Sequence, residues 1–101
     1  MKECCKEYLI GQFGDEEIVA DIYGEYVTSL EQKIAECESA LAAFDWLALD
    51  RAAHAMKGNS LAAGDNDVAQ SAIALRNAAK LQERDNAISL IKNIKDLLKQ
   101  L

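Results

Sequence analysis

A chain of 101 residues is the size of one domain, large enough to bury a core without disulfide or metal staples and too small for two independent cores. Half of its residues are hydrophobic, 6% are aromatic and proline is absent, a balance that favours helices over strands and predicts an all-α fold. The formal net charge of −6 argues against nucleic acid and anionic membrane surfaces, which both require a cationic footprint, and leaves proteins as the expected partners.

Residues 1–14 read as a short N-terminal segment with one or two helical turns over Cys4 to Ile10, broken by "GQFGDEE". The cysteines, Cys4, Cys5 and Cys37, are odd in number and two are adjacent, unlike the disulfide framework of a secreted domain. Reduced thiols and a buried Cys37 are expected. One histidine beside a vicinal cysteine pair supplies no recognisable zinc pattern, so no metal site is expected.

Asp15 is an N-cap candidate followed by acids in the first turn, and a helix of about 27 residues, or two nearly collinear ones, should start there. Ile18, Ile22, Tyr26, Leu30, Ile34, Cys37, Leu41 and Phe44 recur at steps of four and three and form its expected inner stripe, with Gly24 as the expected kink. "FDW" marks the next boundary: Asp45 can cap the following helix while Phe44 and Trp46 tuck under the turn. That third helix should end near Gly64, after which Asp65, Asn66 and Asp67 offer N-cap side chains.

Val68, Ala72, Leu75 and Ala79 make the inner stripe of the next helix. "QERDN" is a polar turn with Asp85 as the expected cap. The last helix should face inward with Ile88, Ile91, Ile94, Leu98 and Leu101, widened by Ala87, Leu90 and Leu97. The whole predicts an up-and-down antiparallel four-helix bundle over 15–101, preceded by a short helical segment. No apolar run approaches the roughly 20 residues that cross a bilayer, and no cleavable leader is visible, so the expected protein is soluble, cytoplasmic and monomeric.

The third helix holds the only histidine. At about 100° per residue, Leu49, Ala52, Met56 and Ala63 share one face, with Asn59 and Ser60 at its margins. Leu47, Asp50, Arg51, His54, Lys57, Gly58 and Leu61 lie on the other. His54 therefore points away from the core. Gly58, one turn on, costs a helix interior about 1 kcal/mol relative to alanine. Because helical side chains lean toward the N-terminus, a larger residue at 58 would crowd the imidazole and anything attached to it. Lys57 brings a cation to the same volume. An imidazole, free space and a positive charge together suit an anion carried on a nucleophilic ring.

These residues carry a resemblance. "HAMKGNSLAAG" resembles the signature of the histidine-containing phosphotransfer (HPt) domain family, H-x-[apolar]-K-G-x-[small]-x-x-x-G, with His54, Lys57, Gly58, Ser60 and Gly64 at the expected steps. The similarity extends through "LEQKIAECESALAAFDWLALDRAAH" and "LRNAAKLQERDNAISLIKNI", covering about residues 15 to 101. Asn59, Ala63 and Asp65 depart from the commonest pattern.

The resemblance implies a phosphorelay intermediate without kinase activity of its own. His54 would accept a phosphoryl group at Nε2 from the aspartyl phosphate of one response-regulator receiver domain and pass it to the aspartate of another. Lys57 would offset phosphate charge, Gly58 would keep the approach open, and Ser60 would support close packing or a hydrogen bond near the ring. Leu47, Asp50, Arg51, Ala55 and Leu61 would meet the partner, a receiver domain or a hybrid sensor histidine kinase. No cofactor would be bound by this chain, and Mg²⁺ would belong to the receiver. The competing reading is a helical adaptor that binds a receiver or kinase without being phosphorylated.

Overall fold

The Asp15 carboxylate accepts hydrogen bonds from the backbone N–H groups of Glu17 and Ile18, at 2.9 and 3.3 Å, and opens the longest helix of the computed structural model, which describes residues 1–101. In chain order the helices are α1 (Glu3–Phe13), α2 (Glu16–Ala42), α3 (Trp46–Ala62), α4 (Asn66–Leu81) and α5 (Arg84–Leu98), with no strand. The predicted all-α class stands. No helix is long and apolar enough to cross a membrane.

Contacts run in a closed cycle, α2 on α3, α3 on α4, α4 on α5 and α5 back on α2, while α1 packs on α2 alone among the helices. The main core joins Leu30, Ile34, Cys37 and Leu41 of α2 to Leu49 and Met56 of α3, Val68, Ala72 and Leu75 of α4, and Ile91 and Ile94 of α5. Burying the leucine, isoleucine, valine and methionine side chains among these contributes about 1.5–3 kcal/mol each. A second cluster, Cys5 and Leu9 of α1 with Val19 and Tyr23 of α2, covers the other half of the long helix.

That second cluster explains the first departure from expectation. Ile18 is 48% exposed and Ile22 is only half-buried, whereas Val19 and Tyr23 are buried. The N-terminal half of α2 packs against α1 rather than the main core, so its buried stripe is rotated by one residue, about 100°. The helix passes Gly24 without interruption. The N-terminal segment itself is longer than expected: α1 has 11 residues and ends at Gly14, whose φ of 69° lets its N–H reach the Ile10 carbonyl at 2.8 Å.

Phe44 is the second correction. Instead of tucking under the α2–α3 turn it is 63% exposed, with φ of 54°, and lies under the Arg84 guanidinium at 4.5 Å from the ring centre. Trp46 is half-buried against the main core, and the Asp45 carboxylate accepts from the Ala48 N–H at 3.0 Å, as predicted.

The start of α5 is the third. Glu83, not Asp85, holds the N-cap position, and it makes no side-chain cap. Gln82 adopts a left-handed φ of 54°, and the Glu83 N–H returns to the Ala78 carbonyl at 2.9 Å, so closing α4 consumes the turn and α5 begins at Arg84. Ala87, Ile91 and Ile94 are buried as expected, but Ile88 is 46% exposed, because the buried stripe of α5 passes through Ala87 instead.

Candidate functional site

The geometry of α3 separates its two faces. Leu49, Ala52, Ala53, Met56 and Ser60 are buried, and Ala63 follows them under the turn. His54, Arg51 and Gly58 are exposed, Lys57 and Ala55 half-buried, and Leu47 and Leu61 exposed at either end of the same face. Leu47 and Leu61 each lie seven positions from His54, two helical turns or about 10 Å along the axis. The imidazole thus stands midway between two exposed leucines.

Neither ring nitrogen of His54 hydrogen bonds within the chain, and Lys57 and Arg51 form no ion pair, although other cations of the chain do. A Cβ built on Gly58 meets no atom within 4 Å. Nothing in the chain's own packing therefore requires glycine there. The helix carries its propensity cost without any intramolecular reason, which directs attention to what approaches from outside.

Two of the predicted residues play a part the sequence did not indicate. Asp50, expected to meet a partner, is half-buried and accepts from Arg76 Nε of α4 at 3.0 Å, so it ties α3 to α4. Ser60, expected at the margin, is fully buried. Its hydroxyl donates to the Met56 carbonyl at 2.7 Å, one turn back. Tyr26 donates to an Asp65 carboxylate oxygen at 2.8 Å, leaving its 3.3 Å approach to Ser60 Oγ a dipolar contact with no proton to share. Asn59 Nδ2 donates to Ser29 Oγ at 2.8 Å and fixes the opposite edge of α3 to α2. The histidine helix is thereby held on both flanks while its outer face stays open.

Asp65 is the largest surprise beneath the site. It occupies the N-cap position of α4 but makes no cap, because its fully buried carboxylate turns inward to Tyr26 and to Lys2 Nζ, 2.7 Å away. Burial alone would lower the Lys2 pKa, but the hydrogen bonds and charge of Asp65 and Asp67 outweigh it and hold the ammonium above its usual range. Desolvation, reinforced by the neighbouring Asp65 side chain, pushes the Cys5 thiol up to about 12 and raises the Tyr26 hydroxyl well above its ordinary value. Sulfurs of Cys4 and Cys5 and an Asp65 oxygen all lie within 4.8 Å of one another, a juxtaposition no spacing suggested. The Lys2 ammonium already supplies that carboxylate with a cation.

No sequence pattern pointed to Lys2, Ser29, Tyr26 or Arg76 as supports, since each reaches its partner across 26 to 63 positions of chain. Among known families, the Hpt domain matches residues 21–101, a span that contains α3, α4, α5 and most of α2 but leaves α1 outside. No curated protein and no solved structure matched the chain.

Proposed function

The chain belongs to the Hpt domain family, and from that premise we propose that His54 is its phosphoryl acceptor, taking the group from the aspartyl phosphate of one receiver domain and delivering it to the aspartate of another. Hpt domains serve phosphotransfer in two-component signalling and interact with receiver domains in phosphorelays. On this reading α2 to α5 form the up-and-down antiparallel four-helix bundle that presents the imidazole, and α1 closes one end.

The observation that carries the assignment is the free imidazole on an open face. His54 is exposed, its ring nitrogens have no intrachain partner, Lys57 three residues on is an unpaired cation, and Gly58 leaves the adjoining volume empty. With the proton on Nδ1, the Nε2 lone pair attacks phosphorus in line with the acyl oxygen of the donor. The N–P bond forms as the O–P bond breaks, and the pair of electrons leaves on the donor's carboxylate. Lys57, leaning back toward the preceding turn, meets the charge on the equatorial oxygens. The return step reverses these roles on the second receiver.

Mg²⁺ in the receiver's acidic pocket supplies charge neutralisation at the partner's side, so this chain contributes nucleophile, cation and clearance. Leu47, Ala55 and Leu61 give the docking face its apolar contacts and Arg51 a polar one, an arrangement of apolar groups around a polar centre that suits a transient interface. A hybrid sensor histidine kinase carrying a receiver is a further donor of the same chemistry.

The test is transfer from a receiver preloaded with phosphate. Wild type should take up an acid-labile label and His54→Gln none. Equal labelling of the two proteins would remove His54 as the acceptor, and binding of the receiver with no label on wild type would return the protein to the adaptor reading.

A further inference from the structure

A groove of about 450 Å³ runs between α2 and α5, and none of the residues lining it belongs to α3. Its accessible apolar floor is Ile88, 46% exposed, flanked by the outer edges of Leu41 and Ile91, whose side chains otherwise lie in the main core. Arg84, Lys92, Lys95 and Lys99 line it against only two carboxylates, Glu38 and Asp96. In a chain of formal charge −6, this is a locally cationic strip. Lys95 reaches Glu38 at 3.2 Å and Lys99 reaches Asp96 at 3.6 Å, which leaves Lys92 unpaired and Arg84 bonded to the Leu41 carbonyl at 2.7 Å.

A second observation lies at the Arg84 end. Phe44 stacks on that guanidinium while holding a left-handed φ of 54°, a conformation that destabilises a bulky L-residue, and it remains 63% exposed. The exposed stacking on Arg84 returns little against the cost of a left-handed backbone and of a large aromatic left in water. Such outliers persist where they serve a surface contact.

We propose that the α2–α5 groove is a second docking surface, which receives an acidic amphipathic helix of a partner protein. From Arg84 to Lys99 the strip spans about 22 Å along α5, the length of roughly four helical turns. An apolar stripe at helical spacing would lie on Ile88 and the edges of Leu41 and Ile91, with Phe44 at one end, while flanking carboxylates would meet the unpaired Lys92 and compete with Glu38 and Asp96 for Lys95 and Lys99. The surplus of cations selects an acidic partner, and the apolar floor selects a helix over a phosphate backbone. Because the groove and His54 lie on different helices, the partner could stay bound while the histidine is phosphorylated. The chain would then act as a tethered carrier.

The probe is a fluorescein-labelled 15-residue helical peptide with leucines on one stripe and glutamates beside it, read by anisotropy against the full chain. Its twin carries lysine for every glutamate. The acidic peptide should bind at least tenfold more tightly than the twin. Lys92→Glu combined with Lys99→Glu should weaken it at least tenfold, whereas His54→Gln should leave it unchanged. Phe44→Gly should weaken binding without lowering Tm, which separates docking from folding. Equal affinity for the two peptides, an unaffected double variant, or attachment of the wild-type chain to phosphatidylserine vesicles in preference to the peptide would overturn the proposal.

Discussion

Lys2 and Asp65 stand 63 positions apart in the chain and 2.7 Å apart in the structure, joining the first residue before α1 to the turn between α3 and α4. The Asp65 side chain is fully buried and that of Lys2 is 12% exposed, so the pair is largely withdrawn from water. Removing one partner of such a pair strands the other charge. Lys2→Met should therefore destabilise the fold by about 2 kcal/mol, less than a wholly buried pair would lose, because Tyr26 still donates to Asp65 and the lysine head is not wholly dry. Urea unfolding measures it, and a change below about 0.5 kcal/mol would show that water replaces Lys2 freely.

Alkaline solution should attack the same region and the main core together. Burial raises both the Cys5 and Cys37 thiols to about 12 from 9.0. Groups raised on folding leave the unfolded chain poorer in protons as pH climbs above 9.0, so the stability they confer is intact below that value and is lost between about 9 and 12. The slope approaches about 1.4 kcal/mol per pH unit for each thiol. Lys2, also raised, adds to the loss above 10.5. Denaturant midpoints should be flat from pH 7 to 8 and fall toward pH 10, with a shallower fall in Cys37→Ala. A Cys37→Ala profile that parallels wild type would remove the buried thiol from the explanation.

Gly58 separates stability from chemistry. Since a Cβ there meets nothing within 4 Å, Gly58→Ala should stabilise α3 by about 1 kcal/mol, the helix-propensity difference. Gly58→Leu should keep the fold but slow transfer to His54 at least tenfold, because its branches fill the space through which phosphorus approaches. Thermal unfolding and transfer kinetics on the two variants read these effects independently. A destabilised Gly58→Ala would reveal a packing demand, and a fully active Gly58→Leu would discard clearance as the role of the glycine.

Lys57 has no intrachain ion-pair partner, so its loss should leave Tm within about 1 °C while lowering the transfer rate by roughly a hundredfold, the lower end for removing one preorganised donor to a developing charge. Lys57→Arg should recover part of it. A Lys57→Ala protein that transfers at the wild-type rate would confine the lysine to solvation.

The sequence carried the helices well where a single core decided their orientation. Val68, Ala72, Leu75 and Ala79 recur at helical steps and all are buried, and His54 lies on the outward face that the spacing of Leu49, Ala52 and Met56 dictates. It misled where two surfaces compete for one helix: Ile18 fitted the α2 stripe, but α1 buries Val19 and Tyr23 instead. Phe44 was misplaced because its hydrophobicity suggested burial, while the α2–α3 turn sets its backbone left-handed and swings the ring onto Arg84. The positions of His54, Lys57 and Gly58 follow from local periodicity, which needs no tertiary knowledge. Those of Lys2, Asp65, Arg76 and Ser29 do not, because hydrogen bonds between distant residues leave no mark in spacing. Asp65 in particular read as a helix cap, and only the approach of Lys2 and Tyr26 turns it inward.

On this chemistry one nitrogen, Nε2 of His54, carries the phosphoryl group between receivers. ¹⁵N and ³¹P NMR of the chain after exposure to a phosphorylated receiver addresses it directly. A single phosphoramidate signal coupled to Nε2 of His54 is expected, which disappears on acidification and on addition of an unphosphorylated receiver. A phosphoryl signal on any hydroxyl or carboxylate of this chain, or none while the receiver stays bound, would contradict it.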